Sequence, residues 1–200
     1  MNRRIYWIIS CVILLMFNVV LLAKRTDEVI SEDVDCYIGG RVIDSYQSSF
    51  IDLLENDGVP LQDMVLLDIS DNSVRALSEL LVDDSVLFVC RISQFQCQNC
   101  ASYALEKAIE MVEKDSTVMK LLVLGDYEYR SLKIFVNEHP NIRGYGVYQA
   151  SVVDLPIEMR TYPYYFTLSN DMVVHGVFAP NEDDRVRTEI YWKSISKKWR

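Results

Sequence analysis

Apolar positions along this chain fall into runs of different period. Ile5 to Ala23 is apolar over nineteen residues without one charged side chain. Val86-Leu-Phe-Val-Cys-Arg-Ile92 and Val118-Met-Lys-Leu-Leu-Val-Leu124 are nearly continuous, which suits strands covered on both faces. Between them Leu105, Ala108, Ile109 and Val112 recur at helical spacing. Leu132, Phe135 and Val136 do the same over residues 127–138, until Pro140 stops the pattern. A strand, a helix and a second strand with a crossover of this length predict a parallel pair. Met64–Ile69 and Tyr145–Tyr148 read as further short strands. Residues 42–56 and 71–81 show weaker helical spacing, the latter through Val74, Leu77, Leu80 and Leu81. Tyr164–Leu168 and Met172–Phe178 flank a Ser-Asn-Asp turn and read as a hairpin. A last helix follows, with Asn181 as its expected cap, acids 182–184 at its start and Lys193, Lys197, Lys198 and Arg200 towards its end.

The first apolar run changes the picture at the level of the whole chain. At 1.5 Å per residue, nineteen residues nearly span a hydrocarbon core of ~30 Å. Leu22-Ala23-Lys24-Arg25 offers no small-x-small cleavage site, and Ser10-Cys11 falls too early for a lipoprotein signal. Residues 1–25 are therefore expected to be a cytoplasmic tip and an uncleaved transmembrane signal anchor in contact with the lipid bilayer. Residues 26–58 would be an acidic spacer and residues 59–200 the folded domain. This predicts a single-pass protein of the inner membrane whose C-terminal domain faces the periplasm or cell exterior. Charge is segregated in the same way. Residues 1–25 carry +4 and residues 26–89 carry fifteen acids against Arg41 and Arg75. Residues 90–200 balance, and the total is -9. An acidic surface repels phosphate backbones, so nucleic-acid binding is not expected.

The candidate chemistry sits where the first buried strand ends. Cys97-Gln-Asn-Cys100 follows the polar stretch Ser93–Gln96 and opens the helix over 101–112. A helix N-terminus presents free N–H groups and the positive end of the dipole, which lower a thiol's pKa. Cys97 would then be the attacking thiolate, and Cys100, one turn on, the resolving one. Two other readings stand beside this one: a permanent structural disulfide, which an exported location permits, and half of a zinc site. Zinc needs four ligands, and Cys36, Cys90, His139 and His175 provide no second close pair, so no metal is expected. Cys11 and Cys90 read as small buried residues. His139 and His175 read as structural, and Asp126 as a cap for the next helix.

The order of these features is similar to that of the thioredoxin superfamily. A buried strand leads to Cys97-Gln98-Asn99-Cys100 at a helix start, Thr161-Tyr162-Pro163 precedes a hairpin, and a helix closes the chain. From about Pro60 to the C-terminus it resembles the membrane-anchored TlpA/AhpC-TSA-like branch, with residues 138–160 as that branch's insertion. The resemblance implies an α/β thioredoxin-like fold, a central mixed β-sheet flanked by helices. It implies a thiol–disulfide oxidoreductase with Cys97 and Cys100 as catalytic residues and Tyr162 and Pro163 at the substrate. Pro163 would be cis and packed beside the cysteines. Substrates would be proteins with disulfides or thiols, served by a membrane-embedded or periplasmic electron donor and without a cofactor. The sequence departs from the pattern at Phe95-Gln96, where a Trp is usual before the first cysteine, and at Gln98-Asn99 in place of Gly-Pro. A non-catalytic envelope-binding module with a structural Cys97–Cys100 disulfide is the alternative.

Overall fold

The computed structural model describes residues 47–81, 86–114 and 119–199. One compact unit runs from Ser49 to the C-terminus. Its elements are helix α1 (residues 47–56), strands β1 (Val65–Asp68), β2 (Val74–Ala76) and β3 (Val86–Ser93), helix α2 (Gln98–Lys114), strand β4 (Met119–Asp126), helix α3 (Tyr129–Glu138), strands β5 (Gly146–Gln149), β6 (Tyr164–Leu168) and β7 (Val174–Phe178), and helix α4 (Arg185–Lys198). The strands form one mixed sheet in the order β2-β1-β5-β4-β3-β6-β7. β3 pairs parallel with β4 along its whole length, from Val86↔Met119 to Ser93↔Asp126, and antiparallel with β6.

Strand alternation sorts side chains onto two cores. Val86, Phe88, Cys90 and Ile92 of β3 point to the face covered by α2, α3 and α4, where they join Leu105, Ile109, Leu132, Phe135, Trp192 and Ile195. Leu87 and Val89 point to the other face, among Leu66, Leu77, Leu124, Tyr164, Phe166 and Leu168. That face is closed by the irregular segment Ala150–Met159, through Val153, Leu155 and Ile157. The continuous apolar runs of β3 and β4 follow from this arrangement, because both of their faces are buried.

Four sequence expectations are corrected. Residues 71–81 are not an α-helix but a turn, β2 and a short 3-10 turn at Leu77–Leu80. Asp68 accepts hydrogen bonds from Ser70 N and Oγ, Asp71 accepts from Ser73 N, and Asn72 takes a left-handed φ of 61°. These side-chain bonds compete with helical ones and fold the stretch back as a hairpin on β1. Second, the folded unit starts about ten residues before 59. Asp52 and Asn56 of α1 are almost fully buried, Asp52 pairs with Arg160 at 2.8 Å and Asn56 Oδ1 accepts from Ile157 N. Third, Asp184 rather than Asn181 caps α4, its carboxylate accepting from Arg187 N, while Asn181 caps the 3-10 turn before it. Fourth, no cis peptide bond occurs among the described residues, so the Tyr162–Pro163 bond is trans, the form ordinarily favoured even before proline.

Among the described residues no helix is long and apolar enough to cross a membrane. The expected anchor, Ile5 to Ala23, and the expected spacer as far as residue 46, with Cys11 and Cys36, lie outside those residues.

Candidate functional site

β3 delivers the chain to the site and α2 carries it away. Its last residue, Ser93, is tied to the turn: Gln96 Oε1 accepts from Ser93 N, and Ser93 O accepts from Gln96 N. Gln94 N donates to Asp126 O, so the end of β4 braces the same turn. α2 then begins at Gln98, with Cys97 O accepting from Ala101 N. Cys97 and Cys100 are both exposed and carry free thiols. Cys100 N–H donates to Cys97 Sγ at 3.4 Å.

This local geometry divides the labour between the two sulfurs. Hydrogen bonds from the Cys100 side chain, then from its backbone N–H and that of Asn99, hold the Cys97 thiol below its ordinary pKa. The same side-chain bond, with partial burial, the Cys97 charge and Glu182, pushes the Cys100 thiol up. A hydrogen bond received by a thiolate favours the charged form, and one given by a thiol keeps it protonated. Cys90, three residues before the end of β3, is fully buried and its thiol is pushed far up by desolvation. It is closed to this chemistry.

A cavity of about 250 Å³ opens next to the cysteine turn. Ser93, Phe95 and Gln96 line it from the turn, Asp126 from the end of β4, and Glu158, Arg160, Thr161 and Tyr164 from the approach to β6. The fold therefore brings Thr161, two residues before Pro163, onto the same cavity as Phe95 and Gln96. Pro163 itself is buried immediately before β6. Tyr162 is half-buried, and its hydroxyl donates to Asp52 Oδ2 and accepts from Arg160 Nη1. Of the aromatic cluster 162–166, Tyr164, Tyr165 and Phe166 are core residues.

Two charged residues, Arg91 and Glu158, escaped the sequence reading, and a third was expected only as a helix cap. Arg91 occupies the β3 position that would continue the Leu87–Val89 apolar face. It is 1 % exposed. Its Nε donates to Glu158 Oε1 at 2.7 Å, Nη2 to Glu158 Oε2 and Ser151 O, and Nη1 to Ala150 O. The Tyr164 hydroxyl donates to the same Glu158 oxygen at 2.7 Å. Arg91 thus staples the segment that precedes Thr161-Tyr162-Pro163 to the strand that leads to Cys97. A charge inside an otherwise apolar strand was the available signal. Asp126 is the third. It does not cap α3, whose N-cap residue Glu128 makes no side-chain cap bond; its Oδ2 instead accepts from Ser93 Oγ at 3.3 Å.

Both histidines are engaged within the fold. His139 bonds Ser102 Oγ and Phe135 O, each at 2.9 Å, and stacks on Phe135. His175 Nδ1 lies 3.6 Å from Asp57 Oδ1. No group of three potential metal-binding side chains occurs among the described residues.

No family model and no curated relative matches the sequence. Solved structures do match. A chain from Chlorobium tepidum, provisionally named thiol:disulfide interchange protein DsbE, superposes with a TM-score of 0.53 at 14 % identity over 70 % of this chain and 96 % of its own. One from Bacteroides thetaiotaomicron, provisionally named a protein disulfide isomerase, gives 0.53 at 14 % identity over 72 % and 90 %. One from Bacteroides vulgatus, provisionally named a thiol-disulfide oxidoreductase, gives 0.50 at 14 % identity over 68 % and 97 %. Similarity at this level establishes the fold: the mixed sheet and its helices are thioredoxin-like.

Proposed function

We propose that this protein is a membrane-anchored thiol–disulfide oxidoreductase that acts on protein disulfides through Cys97 and Cys100. The observation that carries the reading is the pairing at the start of α2. Cys97 Sγ is exposed and receives the Cys100 N–H at 3.4 Å, and the two thiols are pushed in opposite directions. A permanent structural link gives no reason for that exposure. The structures with similar folds bear names of the same activity class, which supports the reading as analogy.

The Cys97 thiolate attacks one sulfur of a substrate disulfide. An S–S bond forms between Cys97 and the substrate, the original bond breaks, and the departing substrate thiolate takes a proton. Cys100 loses its proton and attacks Cys97 Sγ, which releases the second substrate thiol and leaves a Cys97–Cys100 disulfide. Two electrons have passed from the protein to the substrate. A dithiol donor, membrane-embedded or periplasmic, restores the pair by the same steps in reverse. The Thr161-Tyr162-Pro163 corner is the surface along which the substrate segment would lie. Ile5–Ala23 would hold the domain to the inner membrane, with the C-terminal unit on the periplasmic or exterior side.

The test uses the full chain in detergent, a small disulfide-bonded protein and a dithiol reductant. Reduction should run faster than with reductant alone. Cys97→Ser should abolish the gain, and Cys100→Ser should accumulate a mixed disulfide. No gain and no trapped adduct would refute the proposal. Protease added outside the inner membrane should digest residues 49–200; protection would refute the topology.

A further inference from the structure

We propose that the cavity beside Cys97 selects substrate segments with a lysine or arginine close to the reactive cysteine, its cationic head lying against Asp126. This rests on the exchange reading above and names the substrate class for the same site. The cavity, at about 250 Å³, is below the ~300–1,000 Å³ usual for small-molecule sites. It suits one side chain. It is also reachable from the sulfur, because Phe95 and Gln96 line it and directly precede Cys97. Two residues of extended substrate span about 7 Å, so a side chain one or two positions from the attacked cysteine falls within its reach.

The charges around the cavity decide which side chain. Glu158 is already neutralised by Arg91. Arg160, the one cation on the lining, is paired with Asp52 at 2.8 Å, with Glu55 at 4.0 Å and with the Tyr162 hydroxyl. Asp126 remains. Its carboxylate accepts from Ser93 Oγ but has no Lys or Arg partner among the described residues. Glu182 adds a further negative charge that is felt at Cys100. The wider field has the same sign, since residues 49–200 hold 23 Asp and Glu against 15 Lys and Arg. An anionic side chain would be repelled there, and an apolar one would strip water from Asp126 without replacing it. A lysine or arginine brings both a countercharge and an aliphatic stem. Phe95, 74 % exposed, offers that stem an apolar surface at the rim.

The experiment uses full-chain Cys100→Ser in detergent and three short peptides. Each has one cysteine in a mixed disulfide with 5-thio-2-nitrobenzoate and Lys, Ala or Glu two residues away. Attack by the Cys97 thiolate on the peptide sulfur joins the peptide to Cys97 and releases the coloured thiolate. Rates are divided by those with 2-mercaptoethanol, which removes each peptide's intrinsic reactivity. The Lys peptide should react about fivefold faster than the Ala peptide, the effect of a partly screened ion pair, and the Glu peptide slower. Raising the salt to 1 M should shrink the spread. Asp126→Asn, which keeps an acceptor for Ser93, should bring the Lys and Glu peptides within about twofold of each other. Equal normalised rates for the three peptides would overturn the proposal, as would a Lys preference that survives Asp126→Asn. Release from none of the peptides would instead overturn the exchange reading itself.

Discussion

Replacing Arg91 by methionine should be among the most damaging single changes in this domain. The side chain is 1 % exposed, and its guanidinium serves both Glu158 oxygens and the Ala150 and Ser151 carbonyls. Methionine fits the apolar face that Leu87 and Val89 begin, so the loss is electrostatic rather than steric. Removing one partner of a buried ion pair costs about 3–5 kcal/mol, because the other charge is left without compensation. Glu158 retains 23 % side-chain exposure and the Tyr164 hydroxyl, which places the cost at the lower end, about 3 kcal/mol. Against a typical stability of about 5–15 kcal/mol this is a large share. With a urea m-value of about 2 kcal/mol/M the midpoint should fall by about 1.5 M at unchanged slope. Arg91→Met/Glu158→Leu should recover part of the loss, since no charge is then stranded. A midpoint shift equivalent to less than about 1 kcal/mol for Arg91→Met, or a double change costing the sum of its singles, would refute the reasoning.

Alkylation of Cys97 by iodoacetamide should rise with pH through a midpoint below the ordinary thiol value, because only the thiolate reacts and its hydrogen bonds favour that form; Cys100 should lag, and Cys90 should stay unreacted until unfolding. Peptide mapping after graded alkylation reads all three, and a Cys97 midpoint at or above the ordinary value would sink the division of roles. Asp184→Ala should cost about 0.5–2 kcal/mol by removing the cap on α4, read as a lower thermal midpoint, with Asn181→Ala costing less. Gly176→Ala should cost at least ~1–2 kcal/mol, since Gly176 has a left-handed φ of 63° and an added Cβ would strike the Ile195 side chain; wild-type stability would contradict that packing.

The central strands, α2 and α3 were legible because burial on both faces of a sheet and on one stripe of a helix leaves a direct periodic mark. β3 and β4 follow the two apolar runs, and Leu105, Ala108, Ile109 and Val112 of α2 are buried as their spacing requires. Short elements were not. Over 71–81 Leu77 is buried and Leu80 and Leu81 pack against the core, but Val74 is 65 % exposed, so the spacing marked no single helical face, and local Asp and Ser bonds decided the turn. The boundary at 59 failed for a related reason. α1 is held by polar contacts of Asp52 and Asn56 with residues 157–162, about a hundred positions away.

Taken alone, the sequence determined the order of the central strands and helices, the place of Cys97 and Cys100 at the mouth of a helix, and the apolar segment ahead of the domain. Each is a local property, readable from spacing and period. Tertiary structure alone decided what surrounds the cysteines: the Arg91–Glu158–Tyr164 staple, the Ser93–Asp126 contact across the β3–β4 pair, and the cavity that joins Phe95 to Thr161. Apart from the Glu158–Tyr164 bond, six positions apart, those contacts link residues 33 to 67 positions apart. Their partners are set by sheet register and by the path of the 150–160 segment over it, and neither leaves a local trace in the chain.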